Sequence, residues 1–253
     1  MKKKIVKLFE DQDFSELYKK GGISFIIRIG GQIMGFLMSF LIAYFYGAQG
    51  LGNFLLAFIV LRIFSMIAKL GIDTSSIRFI ASFVKQGKWQ SIKLLRKKIL
   101  FLVSFTSILA SILMYFLAEI IGSLINVEIK YIELASFFIL PMTFFMLHYQ
   151  SLRGLKRIAE FSFFYRMSQA TFTIVSLFII SIFIKNSNVP IYAYLTSLCI
   201  VSILSIVTYK YWFSKKAILD SSENIENLTL RKILKISIPL MLAQSVQFIM
   251  AWT

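Results

Sequence analysis

The chain has 253 residues, of which 58% are hydrophobic, and its mean hydropathy is +0.76. Several apolar runs near 20 residues exclude an ordinary soluble domain and predict an all-α, polytopic membrane protein. A net charge of +16 would suggest nucleic-acid binding in a soluble protein. Here the basic residues lie between the apolar runs, so we predict membrane lipids and no nucleic acid as partners.

The predicted elements begin with a cytoplasmic N-terminal segment over residues 1–21, which is basic but lacks the short apolar region and cleavage site of a signal peptide. A membrane lobe of six transmembrane helices follows over 22–213. Its spans are predicted at about 22–46, 51–70, 99–121, 131–152, 161–184 and 191–213.

The segments outside these spans have their own patterns. Residues 71–97 are predicted to form one or two interfacial helices on the basic side of the membrane. Pro141 is predicted to kink the fourth span. A cytoplasmic linker over 214–235 leads to a seventh apolar run at 236–253, which we expect to be the first helix of a second lobe in a longer protein.

The distribution of Lys and Arg predicts the topology. The N-terminal tail and the gaps after spans 2, 4 and 6 are strongly basic, whereas the gaps after spans 1, 3 and 5 hold zero, one and one basic residues. Basic loops stay on the cytoplasmic side, so the N-terminus is predicted to be cytoplasmic.

Polar residues recur on one face of the first span. Arg28, Gln32, Gly35 and Ser39 are spaced i, i+4, i+7 and i+11. A lone cation within a membrane span is costly, so this stripe is predicted to face a cavity. In the alternative interpretation, Arg28 extends to the cytoplasmic headgroups.

Two other spans carry similar stripes. One consists of Arg62, Ser65 and Lys69, and the other of Ser162, Arg166, Gln169, Thr173 and Ser176. Hydroxyl residues are more typical of helix packing in lipid, whereas packing does not require arginines. The predicted binding site for an anionic substrate therefore comprises Arg28, Gln32, Arg62, Arg166 and Gln169.

The sign of these charges points to the substrate. Spans 1, 2 and 5 contain arginine and no carboxylate, and Asp73, Glu119, Glu133 and Glu160 lie at predicted span ends. Arginines bind phosphate through charge-assisted, bidentate hydrogen bonds, so we expect a substrate with a phosphate or pyrophosphate group. An exporter of cationic drugs would need an intramembrane carboxylate.

Enzymatic chemistry is not predicted. The sequence has no glycine-rich phosphate loop, no cofactor motif and no metal-ligand cluster, so we expect neither cofactor nor metal. The single cysteine, Cys199, excludes a disulfide within the chain and is predicted to be a small buried side chain. His148 is predicted to be an interfacial histidine rather than a proton relay.

Four motifs, in order and in their positions relative to the spans, carry a family resemblance. They are YGAQGLGNF at 46–54, LGIDTSSIRFIA at 70–81, LRGLKR at 152–157 and ISIPL at 236–240. The chain resembles the polysaccharide and O-antigen flippases of the multidrug/oligosaccharidyl-lipid/polysaccharide exporter superfamily over essentially its whole length.

The resemblance implies two six-helix lobes around a central cavity, of which this chain is the first lobe and the first helix of the second. It implies movement of undecaprenyl-pyrophosphate-linked oligosaccharide to the outer leaflet of the bacterial inner membrane, by alternating access. Arg28 and Arg62 match family positions that face the cavity. The implied partners are the lipid-linked oligosaccharide and other polysaccharide assembly proteins.

Two alternatives stay open. The chain could be a drug or small-molecule exporter of the same superfamily, or a non-transporting scaffold or truncated remnant in a polysaccharide assembly complex. The scaffold hypothesis predicts that replacing Arg28 and Arg62 leaves surface glycan unchanged, whereas the flippase hypothesis predicts that it blocks export.

Overall fold

The computed structural model describes residues 12–217 and 225–250, with side chains from residue 21 onward except those of 248 and 249. All the regular secondary structure in these ranges is helical. Most of the predicted N-terminal segment, the middle of the predicted linker and residues 251–253 lie outside the described residues.

We number the helices in chain order. They are α1 (12–46), α2 (48–68), α3 (Ile72–Lys85), α4 (Trp89–Phe116), α5 (Ala118–Ile125), α6 (Ile129–Ser136), α7 (Ile139–Gly154), α8 (Ile158–Phe183), α9 (Val189–Ala217) and α10 (Leu230–Met250).

Four of the described helices are long and apolar enough to cross a membrane. They are Gly21–Ala68, Trp89–Phe116, Ile158–Phe183 and Val189–Ala217, and the bent pair α6–α7 makes a fifth if it is one span. The described residues are therefore those of an all-α membrane protein.

Gly47 separates α1 from α2. Its backbone (φ 72°, ψ 177°) is non-helical and lies in a region that glycine adopts easily. A straight helix would place Arg28 about 50 Å from Arg62, at 1.5 Å per residue. Instead, both arginines line cavities that share Tyr165, so the chain bends at Gly47 and α2 folds back towards α1. The turn expected after the first span is thus reduced to one residue.

The kink predicted for the span that contains Pro141 is confirmed, and it lies a few residues before the proline. Helices α6 and α7 meet at a bend of 51°, between Ser136 and Ile139. A proline cannot bond the carbonyl four residues before it and its ring clashes with that group. For Pro141 this carbonyl belongs to Phe137, which lies at the bend.

Helix α7 forms the centre of the fold and packs against α3, α4 and α9. Ile139, Leu147 and Leu152 are completely or almost completely buried. In contrast, Phe36 and Tyr44 on α1 are 74% and 73% exposed. An apolar helix surface of this kind is stable in lipid and would not be stable in water.

Residues 71–97, predicted to form interfacial helices, contain α3 and the start of α4. Helix α3 buries six residues, packs against α7 and α10, and leaves Arg78, Ser82 and Lys85 exposed. Helix α4 begins at Trp89, ten residues before the predicted span, because Trp89, Ile92 and Leu95 extend its buried side. Likewise, α9 continues to Ala217 and α10 starts at Leu230, so helix occupies both ends of the predicted linker.

Candidate functional site

The first candidate site is a pocket of about 570 Å³ between α1, the end of α7 and the start of α8. We call it the basic pocket, because four cations and no carboxylate are among the described side chains that line it. The cations are Arg28, Arg153, Lys156 and Arg166.

Close packing of α1 on α8 builds this pocket. Ser24 Oγ and Ser162 Oγ are 2.6 Å apart, in hydrogen-bond contact. A Cβ atom on Gly31 would lie 2.6 Å from the backbone oxygen of Arg166. The absence of a side chain at Gly31 therefore lets α1 touch the backbone of α8, as small residues do in membrane helices. This contact brings Arg28 next to Arg166.

Helix α8 carries a π-helical turn at Phe163–Ser168, which contains Arg166. Such turns insert one extra residue and often occur at functional sites. The Arg166 guanidinium carbon lies 4.5 Å from the centre of the Tyr165 ring, and the Tyr165 ring stacks on Phe161 at 5.4 Å. Cation–π contact thus orients the arginine towards the pocket.

A second cavity, of about 280 Å³, adjoins the basic pocket and shares Tyr165 with it. We call it the inner cavity. Its lining consists of Arg62, Met66, Lys69, Asp73, Met146, Tyr149, Gln150, Tyr165, Gln244 and Gln247. Two cations and one carboxylate among these residues give it a formal charge of +1.

Lys69 and Asp73 form a buried ion pair in the inner cavity. Lys69 Nζ donates to Asp73 Oδ2 at 2.6 Å, and the two side chains are 9% and 1% exposed. Asp73 was expected at a span end, but positive φ angles at Leu70 and Gly71 (51° and 69°) turn the chain back into the protein. The inner cavity therefore contains a carboxylate, which weakens the sequence argument against a cation exporter.

The predicted site residues are only partly brought together. Arg28 and Arg166 share the basic pocket, and Arg62 lies in the adjoining inner cavity. Gln32 is exposed on α1 and is not among the residues that line either cavity. Gln169 packs against α9 instead, where its Nε2 donates to Ser197 Oγ at 2.8 Å.

The π-helical turn explains the separation of Gln169 from Arg166. An extra residue within the turn rotates the following part of α8, so a stripe drawn at constant α-helical spacing does not continue through it. Beyond the turn, Thr173 also contacts Ser197, with oxygens 2.8 Å apart. Ser162 thus joins α8 to α1 and Thr173 joins α8 to α9, in agreement with the packing interpretation.

His148, which was predicted to be an interfacial histidine, is buried among the helices. It is 2% exposed, its Nδ1 lies 2.6 Å from the carbonyl oxygen of Phe144, and its Nε2 lies 2.7 Å from Nη2 of Arg96. The guanidinium also lies 3.7 Å from the centre of the Tyr209 ring. Because α4 is longer than predicted, Arg96 covers His148, and neither residue is among those lining the two cavities.

Sequence reasoning did not select several residues that line the cavities. Arg153 and Lys156 were recognised as basic, but only as a topological signal between two spans. Tyr149 and Gln150 lie on α7, and Gln244 lies on α10, where no charged stripe pointed to a site. The LRGLKR motif, which contains Arg153 and Lys156, was the sequence feature that could have identified these two residues.

Comparisons with protein-family models, with curated proteins and with solved structures found no match.

Proposed function

We propose that the chain belongs to a flippase that moves undecaprenyl-pyrophosphate-linked oligosaccharide from the cytoplasmic to the outer leaflet of a bacterial inner membrane. The observation that supports this most directly is the basic pocket. Arg28 and Arg166, which are 138 residues apart, meet there with Arg153 and Lys156, and no carboxylate is among the described side chains that line the pocket.

A diphosphate is a suitable ligand for such a pocket. Guanidinium groups present paired N–H donors that match two phosphate oxygens, and these charge-assisted bonds are about twice as strong as neutral ones. Inorganic cations are disfavoured, because the lining adds four positive charges.

The inner cavity offers the next position for the substrate. Arg62 and Lys69 line it, and Tyr165 lies between it and the basic pocket. An anionic headgroup that leaves the basic pocket would therefore meet a second pair of cations. We propose that alternating access, with a second lobe opposite this one, opens this route to each side of the membrane in turn.

The proposed topology has six spans and a cytoplasmic N-terminus. Four long apolar helices are present in the described residues. Dividing the first of them into α1 and α2, and adding the α6–α7 pair as one span, gives six crossings. This arrangement agrees with the distribution of Lys and Arg and would place the basic pocket near the cytoplasmic surface, where a lipid-linked precursor is made.

The test is the double variant Arg28→Ala/Arg166→Ala, with Arg231→Ala as the matched control. Arg231 is exposed on α10 and does not line either cavity. In cells that depend on this chain for surface glycan, the double variant should accumulate lipid-linked precursor and lose surface glycan. The control should not do so at equal membrane abundance. Normal export by the double variant would refute the proposed site and favour the scaffold hypothesis.

The buried carboxylate favours one second candidate, an exporter of cationic small molecules. Asp73 could attract a cation into the inner cavity, but Lys69 neutralises it at 2.6 Å. Efflux of a cationic dye that requires the chain and is lost in Asp73→Asn would support the exporter. We favour the flippase, because among the described side chains that line the two cavities six are cations and one is a carboxylate.

A further inference from the structure

We infer that the basic ends of α4 and α9 together bind the headgroup of an anionic phospholipid. Four cations form this site, and we call them the headgroup cluster: Arg96 and the exposed lysines Lys93, Lys97 and Lys210. None of them lines the basic pocket or the inner cavity. The inference is therefore independent of the proposed substrate and its route.

Two contacts join α4 to α9 at this end. The Trp89 and Phe213 rings meet edge to face, with their centres 5.9 Å apart. The guanidinium carbon of Arg96 lies 3.7 Å from the centre of the Tyr209 ring. The first turns of α4 and the last turns of α9 thus lie side by side.

These contacts bring the lysines of both helices to one place. Lys93 and Lys97 lie within one turn of Arg96, and Lys210 directly follows Tyr209. All three lysines are exposed, whereas Arg96 is partly buried behind them. The cluster therefore combines one enclosed cation with three cations at the surface.

The charge of Arg96 is not neutralised by the residues that hold it. Nδ1 of His148 donates to the carbonyl oxygen of Phe144, so its Nε2 accepts from Arg96 and the imidazole is neutral. In the described part of the chain, His148 is the one hydrogen-bond acceptor for this group of five N–H donors. A partly buried cation without a counterion is costly, so we expect an anion beside it.

No carboxylate of the surrounding helices supplies that anion. The helices α4, α7 and α9 contain neither Asp nor Glu. Glu226, in the segment before α10, reaches α4 but pairs with Lys88 at 3.2 Å. None of the ion pairs between described residues includes a member of the headgroup cluster. Its formal charge of +4 thus calls for an anionic ligand.

The surface next to the lysines indicates that this anion belongs to a lipid. On α4, Lys97 is followed at four-residue intervals by Phe101 and Phe105, which are 75% and 58% exposed. On α9, Val207 is 56% exposed and precedes Lys210 by three residues. A phospholipid has the same order of parts, with a phosphate followed by apolar chains. Basic surfaces between membrane helices are known to bind anionic headgroups, and a free phosphate would leave the apolar part unused.

The experiment measures lipid binding to the purified chain in nonionic detergent by native mass spectrometry. The probes are phosphatidylglycerol, which is anionic, and phosphatidylcholine, which is zwitterionic, with identical acyl chains. The wild-type chain should bind phosphatidylglycerol at least about tenfold more tightly, because each basic residue near an anionic headgroup contributes about fivefold in affinity. The triple variant Lys93→Gln/Lys97→Gln/Lys210→Gln should bind the two lipids about equally.

The triple variant Lys85→Gln/Lys232→Gln/Lys235→Gln is the matched control. It removes the same charge from exposed lysines of α3 and α10 and should keep the preference for phosphatidylglycerol. An equal loss in both triple variants would reduce the effect to net charge and overturn the inference. Equal binding of the two lipids by the wild-type chain would overturn it without reference to any variant.

Two further outcomes would assign the anion elsewhere. If Arg28→Ala/Arg166→Ala loses the preference and the headgroup-cluster variant keeps it, the lipid binds at the basic pocket. If inorganic phosphate raises the melting temperature of the lipid-free chain as much as phosphatidylglycerol does, the ligand is a free anion. Either result would overturn the inference.

Discussion

Breaking the buried Lys69–Asp73 pair from one side should destabilise the protein far more than removing both charges. At 2.6 Å and an effective dielectric constant of about 20, the Coulomb attraction is about 6 kcal/mol. Removing two such groups from water costs several kcal/mol per ion, so the intact pair contributes little net stability. Lys69→Met leaves a fully buried carboxylate without its counterion and should cost about 3–5 kcal/mol.

The double variant Lys69→Met/Asp73→Asn should recover most of that loss, because no uncompensated charge is left in the cavity. The assay is denaturant unfolding of the chain in mixed micelles, for the wild type, both single variants and the double variant. Losses that simply add, or a single-variant loss below about 1 kcal/mol, would show that the pair is solvated and would contradict the buried placement of Asp73.

Two further predictions concern packing. Gly31→Val should separate α1 from α8, because its Cβ would lie 2.6 Å from the Arg166 oxygen, and should lower the melting temperature by several degrees. Gly35→Val is the control, since nothing lies within 4 Å of its Cβ, and an equal loss in both would contradict the close contact. His148→Phe removes the acceptor for Arg96 and should cost about 1–3 kcal/mol in denaturant unfolding, whereas an unchanged stability would place Arg96 in water.

The fold was predictable from sequence where one residue type dictates the backbone. Apolar runs identified the long helices, Gly47 ended the first, and Pro141 bent the α6–α7 pair. The boundaries near α3 and α4 were not predictable, because charged residues there suggested a surface. Trp89 continues a buried helical side that only the packing against neighbouring helices makes visible.

The candidate site was less predictable, because its residues were grouped by constant α-helical spacing, which requires an unbroken helix. Arg28 and Arg166 were selected as cations that packing does not require, and they do share a pocket. Gln169 was placed with them by α-helical spacing, which the π-helical turn at Phe163–Ser168 interrupts. No residue type in that turn marks the extra residue, so the displacement of Gln169 could not be derived from sequence.

The basic residues between α7 and α8 could serve either membrane topology or a binding pocket, and sequence alone does not separate these two roles. Arg153 and Lys156 count towards the positive-inside pattern, and a topological role would need only their presence near a span end. The structure gives them specific positions: Arg153 lies in the last turn of α7, and Lys156 has a positive φ of 60° in the tight link to α8. A positive φ is uncommon for lysine and is unnecessary for a charge that serves only topology. Because the same link leads both side chains into a pocket with Arg28 and Arg166, two residues of the positive-inside pattern supply half of the cations that line the basic pocket.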